Sequence, residues 1–196
     1  MTEPQPPYIQ NIPKIAGSKV SPLASGGDLG GAIWQILETV CDPEVPVLSV
    51  VDLGIIRSVK LLPHAPLDNR DGGIEIIITP TYSGCPAMDM ISMNIKLAMA
   101  EHGYKNIKVI SVLSPAWTTD WMSEAGKEKL KAYGIAPPNM RQQVCTNELF
   151  APHEAVQCPH CNAYHTHRIS EFGSTACKAL YQCDECKEPF DYFKCH

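Results

Sequence analysis

Cys158-Pro159-His160-Cys161 and Cys183-Asp184-Glu185-Cys186 are two C-x-x-C pairs separated by residues 162–182. Two thiolates at this spacing can curl one tight turn around an ion. Two such turns supply the four soft sulfurs that tetrahedral Zn²⁺ prefers. The gap slightly exceeds the usual range of about 15–20 residues. Iron in a rubredoxin-like site is chemically compatible with four thiolates. A pair of redox dithiols is the blander alternative, but the βαβ context of thioredoxin-like C-x-x-C is missing. Cys177, Cys195, His160, His165 and His167 lie close in sequence. The symmetric knuckles are the preferred ligand set, with Cys177 and Cys195 read as buried apolar residues. Four protein ligands leave no open position, so zinc held by Cys158, Cys161, Cys183 and Cys186 is expected to be structural rather than catalytic. About 40 residues hold too little core to fold alone, and the metal would provide most of their stability.

The second chemical signal is Thr79-Pro80-Thr81-Tyr82-Ser83-Gly84-Cys85-Pro86. Pro86 suits the first position of a helix, where its missing N–H costs nothing. Cys85 then stands at the N-cap, where free N–H groups and the helix dipole favour a thiolate. A lowered pKa and raised metal affinity are the expectation. Thr79, Thr81 and Ser83 bring hydroxyls to the same loop. One thiol cannot hold a cluster alone, so Cys85 requires a second chain (a homodimer), Asp42 or Glu44, or a ligand from a client protein. Asp42 and Glu44 alone read more simply as a turn cap with two flanking prolines than as a catalytic carboxylate pair.

An α+β arrangement is expected to position these residues: a small domain with helices on one face of a short sheet, then a C-terminal zinc ribbon. Residues 1–27, with five prolines, read as a flexible tail. Residues 28–136 form the first domain, 137–155 a linker and 156–196 the ribbon. Leu29, Ile33, Ile36, Leu37 and Val40 follow the helical period, with Asp28 as cap. Val47 to Leu62 reads as one or two strands broken near Asp52-Leu53-Gly54, and Ile74 to Ile78 as the partner strand of a hairpin. A helix follows from Cys85-Pro86 to about Glu101, carrying Met88, Ile91, Ile95, Leu97 or Ala98, and Met99 on its face. A strand over Ile107–Leu113 and a helix over Ser123–Tyr133, stopped by Gly134, complete the domain.

Net charge is −5 over 196 residues. The counts of Lys and Arg against Asp and Glu are 12 against 15 up to residue 150, and 4 against 6 beyond it. Neither part has the basic surface that phosphate binding needs, so nucleic acid is not an expected partner. No apolar run reaches the roughly 18 residues of a membrane span, and the first ten residues lack the regions of a signal peptide. Nine cysteines without an export signal point to a reducing cytoplasm.

Asp42-Pro43-Glu44-Val45-Pro46, Val51-Asp52-Leu53-Gly54 and Thr79 to Pro86 together resemble the small domain of SufT-like and related cytosolic iron–sulfur targeting factors. Trp117 to Met122, Phe172 to Lys178 and Pro189 to Cys195, added to the two knuckles, resemble the PaaD family of bacterial phenylacetate degradation. The resemblance spans about residues 29–196. It implies an accessory factor that matures a metal centre of the multicomponent phenylacetyl-CoA epoxidase, with the oxygenase or reductase subunits as partners. It also implies Asp42, Thr79 and Cys85 as the positions that hold a transient iron or iron–sulfur cluster, beside Glu44, Thr81 and Ser83. The ribbon would dock the client. An adaptor subunit without metal chemistry at Cys85 is the alternative.

The sequence has no Glu-x-x-His pair for a di-iron site, no ferredoxin spacing and no P-loop, in keeping with an accessory role. The glycines between Gly26 and Gly31 follow no strand and are not a dinucleotide loop. A nucleophilic role for Cys85 lacks a base: His102 lies at the far end of the helix, about 25 Å away at 1.5 Å per residue. The chain is therefore not expected to be an enzyme.

Overall fold

The computed structural model describes residues 29–61, 73–138 and 156–194. The expected tail 1–27, Asp28, most of the expected linker and Cys195 lie outside them. The chain runs through α1 (Leu29–Glu38), β1 (Ile56–Leu61), β2 (Gly73–Ile78), α2 (Ala87–Glu101), β3 (Asn106–Ser111) and α3 (Glu124–Ala132). A short β4 (Ile135–Ala136) precedes the ribbon strands β5 (Thr166–Ser170), β6 (Lys178–Cys183) and β7 (Pro189–Phe193). The fold is mixed α and β, as expected.

In the first sheet β1 pairs antiparallel with β2, and β2 pairs parallel with β3, so α2 is the crossover between parallel neighbours. Ile74, Ile76 and Ile78 are buried while Glu75 and Ile77 are half-exposed, which marks one covered face. Onto that core pack Ile33, Ile36, Leu37 and Val40 of the α1 region and Ile91, Ile95 and Met99 of α2. Each such side chain contributes about 2 kcal/mol by leaving water. Leu97, offered by the periodicity as an alternative to Ala98, points outward and is exposed.

The apolar run 47–62 breaks near Asp52-Leu53-Gly54, as expected, and its described part carries one strand rather than two. Only Ile56–Leu61 is a strand, and Ser49 makes an isolated bridge with Cys41. The reason is Asp52. Its carboxylate accepts the Ser49 N–H at 3.2 Å and the Ser49 hydroxyl at 3.0 Å, and these bonds hold residues 49–54 in a turn. Gly54 closes that turn at φ +67°, where a Cβ would stand 2.0 Å from the Trp121 carbonyl oxygen. The other Asp52 oxygen accepts from the Ser123 hydroxyl at 2.9 Å, while Ser123 Oγ accepts the Gly126 N–H and caps α3.

The ribbon is not a separate bead. Ile135 and Ala136 pair parallel with Asp191 and Tyr192, so the second sheet has the order β4-β7-β6-β5. Phe193 and Cys177 belong to the same buried cluster as the first domain's core. Phe193 meets Trp117 edge-on at 6.1 Å, and the Trp117 indole N–H donates to the Leu53 carbonyl at 2.9 Å.

Candidate functional site

The two knuckles are near-copies of one another. In the first, the Cys158 N–H donates to the Ala163 carbonyl at 2.8 Å; in the second, the Cys183 N–H donates to the Glu188 carbonyl at 3.1 Å. The residue after each second cysteine, Asn162 or Lys187, has φ +63°. Both turns aim backbone N–H groups at sulfur: Ala163 at Cys161, Glu188 at Cys186, and Cys186 with Glu185 at Cys183. The Cys183 thiol is drawn down to about 7, with the Cys186 N–H the largest cause.

The four sulfurs lie within 4.8 Å of one another, the only such group of three or more metal-binding side chains among the described residues. Cys158 and Cys186 sulfurs are 3.8 Å apart, and those of Cys161 and Cys183 are 3.5 Å apart. A tetrahedron with Zn–S bonds of about 2.3 Å has edges of about 3.8 Å, so the donor set fits zinc. Two of the neighbouring histidines are engaged elsewhere. His165 Nδ1 lies 2.8 Å from Glu185 and His167 Nδ1 lies 3.0 Å from Asp184, pairs that brace the second knuckle from outside.

Cys85 stands at the end of a turn in which its own N–H donates to the Tyr82 carbonyl at 3.3 Å. Gly84 supplies the positive φ of +89° that brings the chain into α2. Pro86, with helical angles φ −68° and ψ −20°, takes the cap position ahead of Ala87, so Cys85 stands one residue before the cap expected of it. The Cys85 sulfur accepts the Ala87 N–H, as a capping side chain would. The expected depression of its pKa does not follow. Burial raises the thiol; the Ala87 N–H and the Tyr82 hydroxyl oppose it, and the Glu44 and Asp42 carboxylates push it further up. The hydroxyl that bonds the sulfur is thus that of Tyr82, three residues upstream.

Asp42 and Glu44 face this loop from the end of α1. Asp42 Oδ1 accepts the N–H of Glu44 at 2.7 Å and of Val45 at 2.9 Å, a turn cap as expected. Burial nevertheless raises its carboxyl above the ordinary value, against those two bonds and the charge of Lys178. Glu44 reaches the ribbon, its Oε2 lying 3.7 Å from Cys177 Sγ. Thr79 is buried, and its Oγ1 has no hydrogen-bond partner among the described residues. Thr81 and Ser83 line an open cleft of about 350 Å³ with Pro80, Tyr82, Leu113, Ala116 and Trp117. His102 is occupied at the opposite end of α2, Nδ1 to Ala98 oxygen at 2.8 Å.

Tyr82 and Cys177 are the members of this neighbourhood that sequence reasoning did not place there. Tyr82 lies inside the loop, and its spacing from Cys85 is that of a turn. Nothing local marks Cys177, because its proximity to Glu44 exists only once the ribbon is seated.

A family model described as iron–sulfur cluster assembly protein matches residues 31–111, and one described as the PaaD zinc beta ribbon domain matches residues 142–194. An Escherichia coli (strain K12) protein, named as one of the subunits of 1,2-phenylacetyl-CoA epoxidase, is 49% identical over 163 residues, 83% of this chain and 91% of that protein. An Fe-S protein maturation auxiliary factor of Porphyromonas gingivalis (strain ATCC BAA-308 / W83) is 36% identical over 47% of this chain and 81% of its own length. The Fe-S protein maturation auxiliary factor YitW of Bacillus subtilis (strain 168) is also 36% identical, over 48% of this chain and 86% of its own.

Proposed function

The chain belongs to the PaaD family, an iron–sulfur cluster assembly domain joined to a zinc ribbon, and from that premise we propose that it matures a metal centre of a phenylacetyl-CoA epoxidase. Cys85 holds the cargo, iron or an iron–sulfur cluster, for the time between acquisition and delivery. The observation that carries this reading is the half-buried Cys85 sulfur between a hydroxyl donor, a backbone donor and two carboxylates. Donors of this kind stabilise a thiolate once a cation is present, and the carboxylates add the negative charge that iron requires. Without the cation, the same burial and negative charge keep the thiol protonated, which suits a site that must release what it holds.

Cys158, Cys161, Cys183 and Cys186 would hold zinc, which supplies cross-linking rather than reactivity. The first domain's own residues then act on the ribbon's position, through β4 against β7 and Trp117 against Phe193. The ribbon's outer strand β5 carries the exposed Ile169, with Phe172 exposed just beyond, and is the surface proposed to meet the oxygenase or reductase subunit. The naming of the Escherichia coli relative as an epoxidase component supports a second reading, a stoichiometric adaptor with no chemistry at Cys85.

The two readings part on one substitution in cells. With Cys85→Ala, maturation predicts epoxidase polypeptides at normal abundance but lacking metal and activity. Fully metallated, active epoxidase in that strain would remove the cargo role and leave the adaptor.

A further inference from the structure

α2 is apolar on two faces. Ala87, Ile91, Ile95 and Met99 are buried on the first. On the other stand Met90, Met93 and Leu97, at 54%, 63% and 56% exposure, three of the eight large hydrophobic side chains exposed among the described residues. Their spacing of three and then four residues makes one stripe along the helix, where a surface helix ordinarily carries polar groups. On one flank of the stripe lie Asp89 and Lys96, both exposed, with Lys96 two turns beyond Asp89.

The five residues share a centre. Met90 and Leu97 have their midpoint between Met93 and Asn94, and Asp89 and Lys96 have theirs between Ser92 and Met93. A two-fold axis crossing α2 at Met93 therefore sets Met90 against Leu97 of the partner subunit and Met93 against Met93 of the partner subunit. About such an axis the helices run antiparallel and the same flank of each faces the same side. Asp89 then meets Lys96 of the partner subunit across the seam, twice over. A parallel pair would instead set each charge level with its own copy.

We infer that the exposed face of α2 is an interface between two copies of this chain, packed antiparallel about Met93. What Cys85 carries has no bearing on it. An isologous contact must complement itself, and this face does so in both its apolar stripe and its charged flank. Methionines suit such a seam, because their unbranched side chains adapt to what faces them. The patch is one helix long, so the dimer is a weak one that forms and parts with concentration. It also fixes where the two Cys85 residues lie. Each stands about eight residues from the axis, so they are about 24 Å apart along the seam at 1.5 Å per residue. Such a dimer does not bring the two thiols to one metal. Each draws its remaining ligands from its own loop or from a client.

The test uses the full-length, zinc-loaded protein, kept reduced so that the exposed Cys41 forms no disulfide. Sedimentation equilibrium over a series reaching about 100 μM should show the mass rising from 21.5 kDa towards twice that value. Met93→Lys sets two ammonium groups against each other on the axis and should weaken the dimer at least about tenfold. Asp89→Lys should weaken it too, and adding Lys96→Asp to the same chain should restore it, because the swapped charges again face their opposites. A carbodiimide should join Asp89 to Lys96 between copies only, since two turns of one helix hold them about 11 Å apart. A monomer at every concentration overturns the inference, as does a dimer indifferent to Met93→Lys. A monomer in which Met93→Lys still lowers epoxidase maturation in cells also overturns it, and gives the face to a client. Dimerisation weakened by Met93→Lys, with no rescue of Asp89→Lys and no such cross-link, overturns the antiparallel arrangement. The mass and the cross-link are read on unaltered protein, so neither depends on whether a variant folds.

Discussion

Replacing Asp52 by Ala should loosen the turn that joins the first sheet to α3. Its carboxylate accepts from the Ser49 N–H and hydroxyl, the Ser123 hydroxyl and the Lys129 ammonium. Ser49 is buried, and its N–H and hydroxyl left without an acceptor cost about 1–3 kcal/mol. Lys129 is half-exposed, so its ion pair adds less than about 1 kcal/mol. The sum is about 1–4 kcal/mol, or a few to about 15 °C in Tm for a chain of this size. Urea unfolding of zinc-loaded protein, followed by tryptophan fluorescence, measures it directly. Asp52→Asn keeps the shape and one acceptor, and should fall between the two.

The pH dependence follows from the same contacts. Burial raises the Asp52 carboxyl, but the bonds from Lys129, Ser49 and Ser123 outweigh it and hold the folded pKa below the ordinary value. A lowered folded pKa gives stability that is fully present above the unfolded value of about 3.9 and lost as pH falls through the folded one. The stability gap between wild type and Asp52→Ala should therefore be constant near neutrality and shrink only below about pH 4. Zinc loss in acid is common to both proteins and cancels in the difference. A gap under about 0.5 kcal/mol at pH 7, the range of an ordinary surface change, would refute the reasoning.

Gly54→Ala should be worse tolerated than an alanine at Gly84, Gly126, Gly134 or Gly173, because its Cβ meets the Trp121 backbone at 2.0 Å at φ +67°. A loss above about 2 kcal/mol is expected from the left-handed backbone and the displaced carbonyl together, read as a drop in the urea midpoint. Chelating the zinc at pH 7 should release β5, β6 and β7, whose own core among the described residues has five buried members, Ala136, Val156, Cys158, Cys183 and Phe190. Hydrogen exchange should then show those strands unprotected with β1, β2 and β3 still slow. The same chelation should alter tryptophan fluorescence, because Phe193 packs on Trp117; an unchanged spectrum would mean that the ribbon is not seated on the first domain.

The parts of this molecule that are legible in the sequence are those with local cause. The isoleucines of β2 and the spacing of Ile91, Ile95 and Met99 declare their elements by period alone. The knuckles declare themselves because a C-x-x-C turn is built within a few residues. The break in the run from Val47 is legible at Asp52-Leu53-Gly54, but not that residues 49–54 form a turn held by the Asp52 carboxylate on Ser49, leaving one strand rather than two. Ile135 and Ala136 give no strand signal because their partner, Asp191–Tyr192, lies at the far end of the chain. The placing of Cys85 just ahead of α2 is local and readable, to within one residue. Its raised pKa is not, since it depends on the loop being buried and on Glu44 and Asp42 arriving from the turn beyond α1.

The central claim is that Cys85 carries iron. Zinc, iron and acid-labile sulfide should be counted per chain on protein purified without oxygen from a phenylacetate-degrading host, for wild type and Cys85→Ala together. The account predicts zinc near one in both, with substoichiometric iron in the wild type that Cys85→Ala loses; sulfide accompanying the iron would identify the cargo as a cluster. Zinc near one with no iron in the wild type, or iron equal in the two proteins, would contradict it.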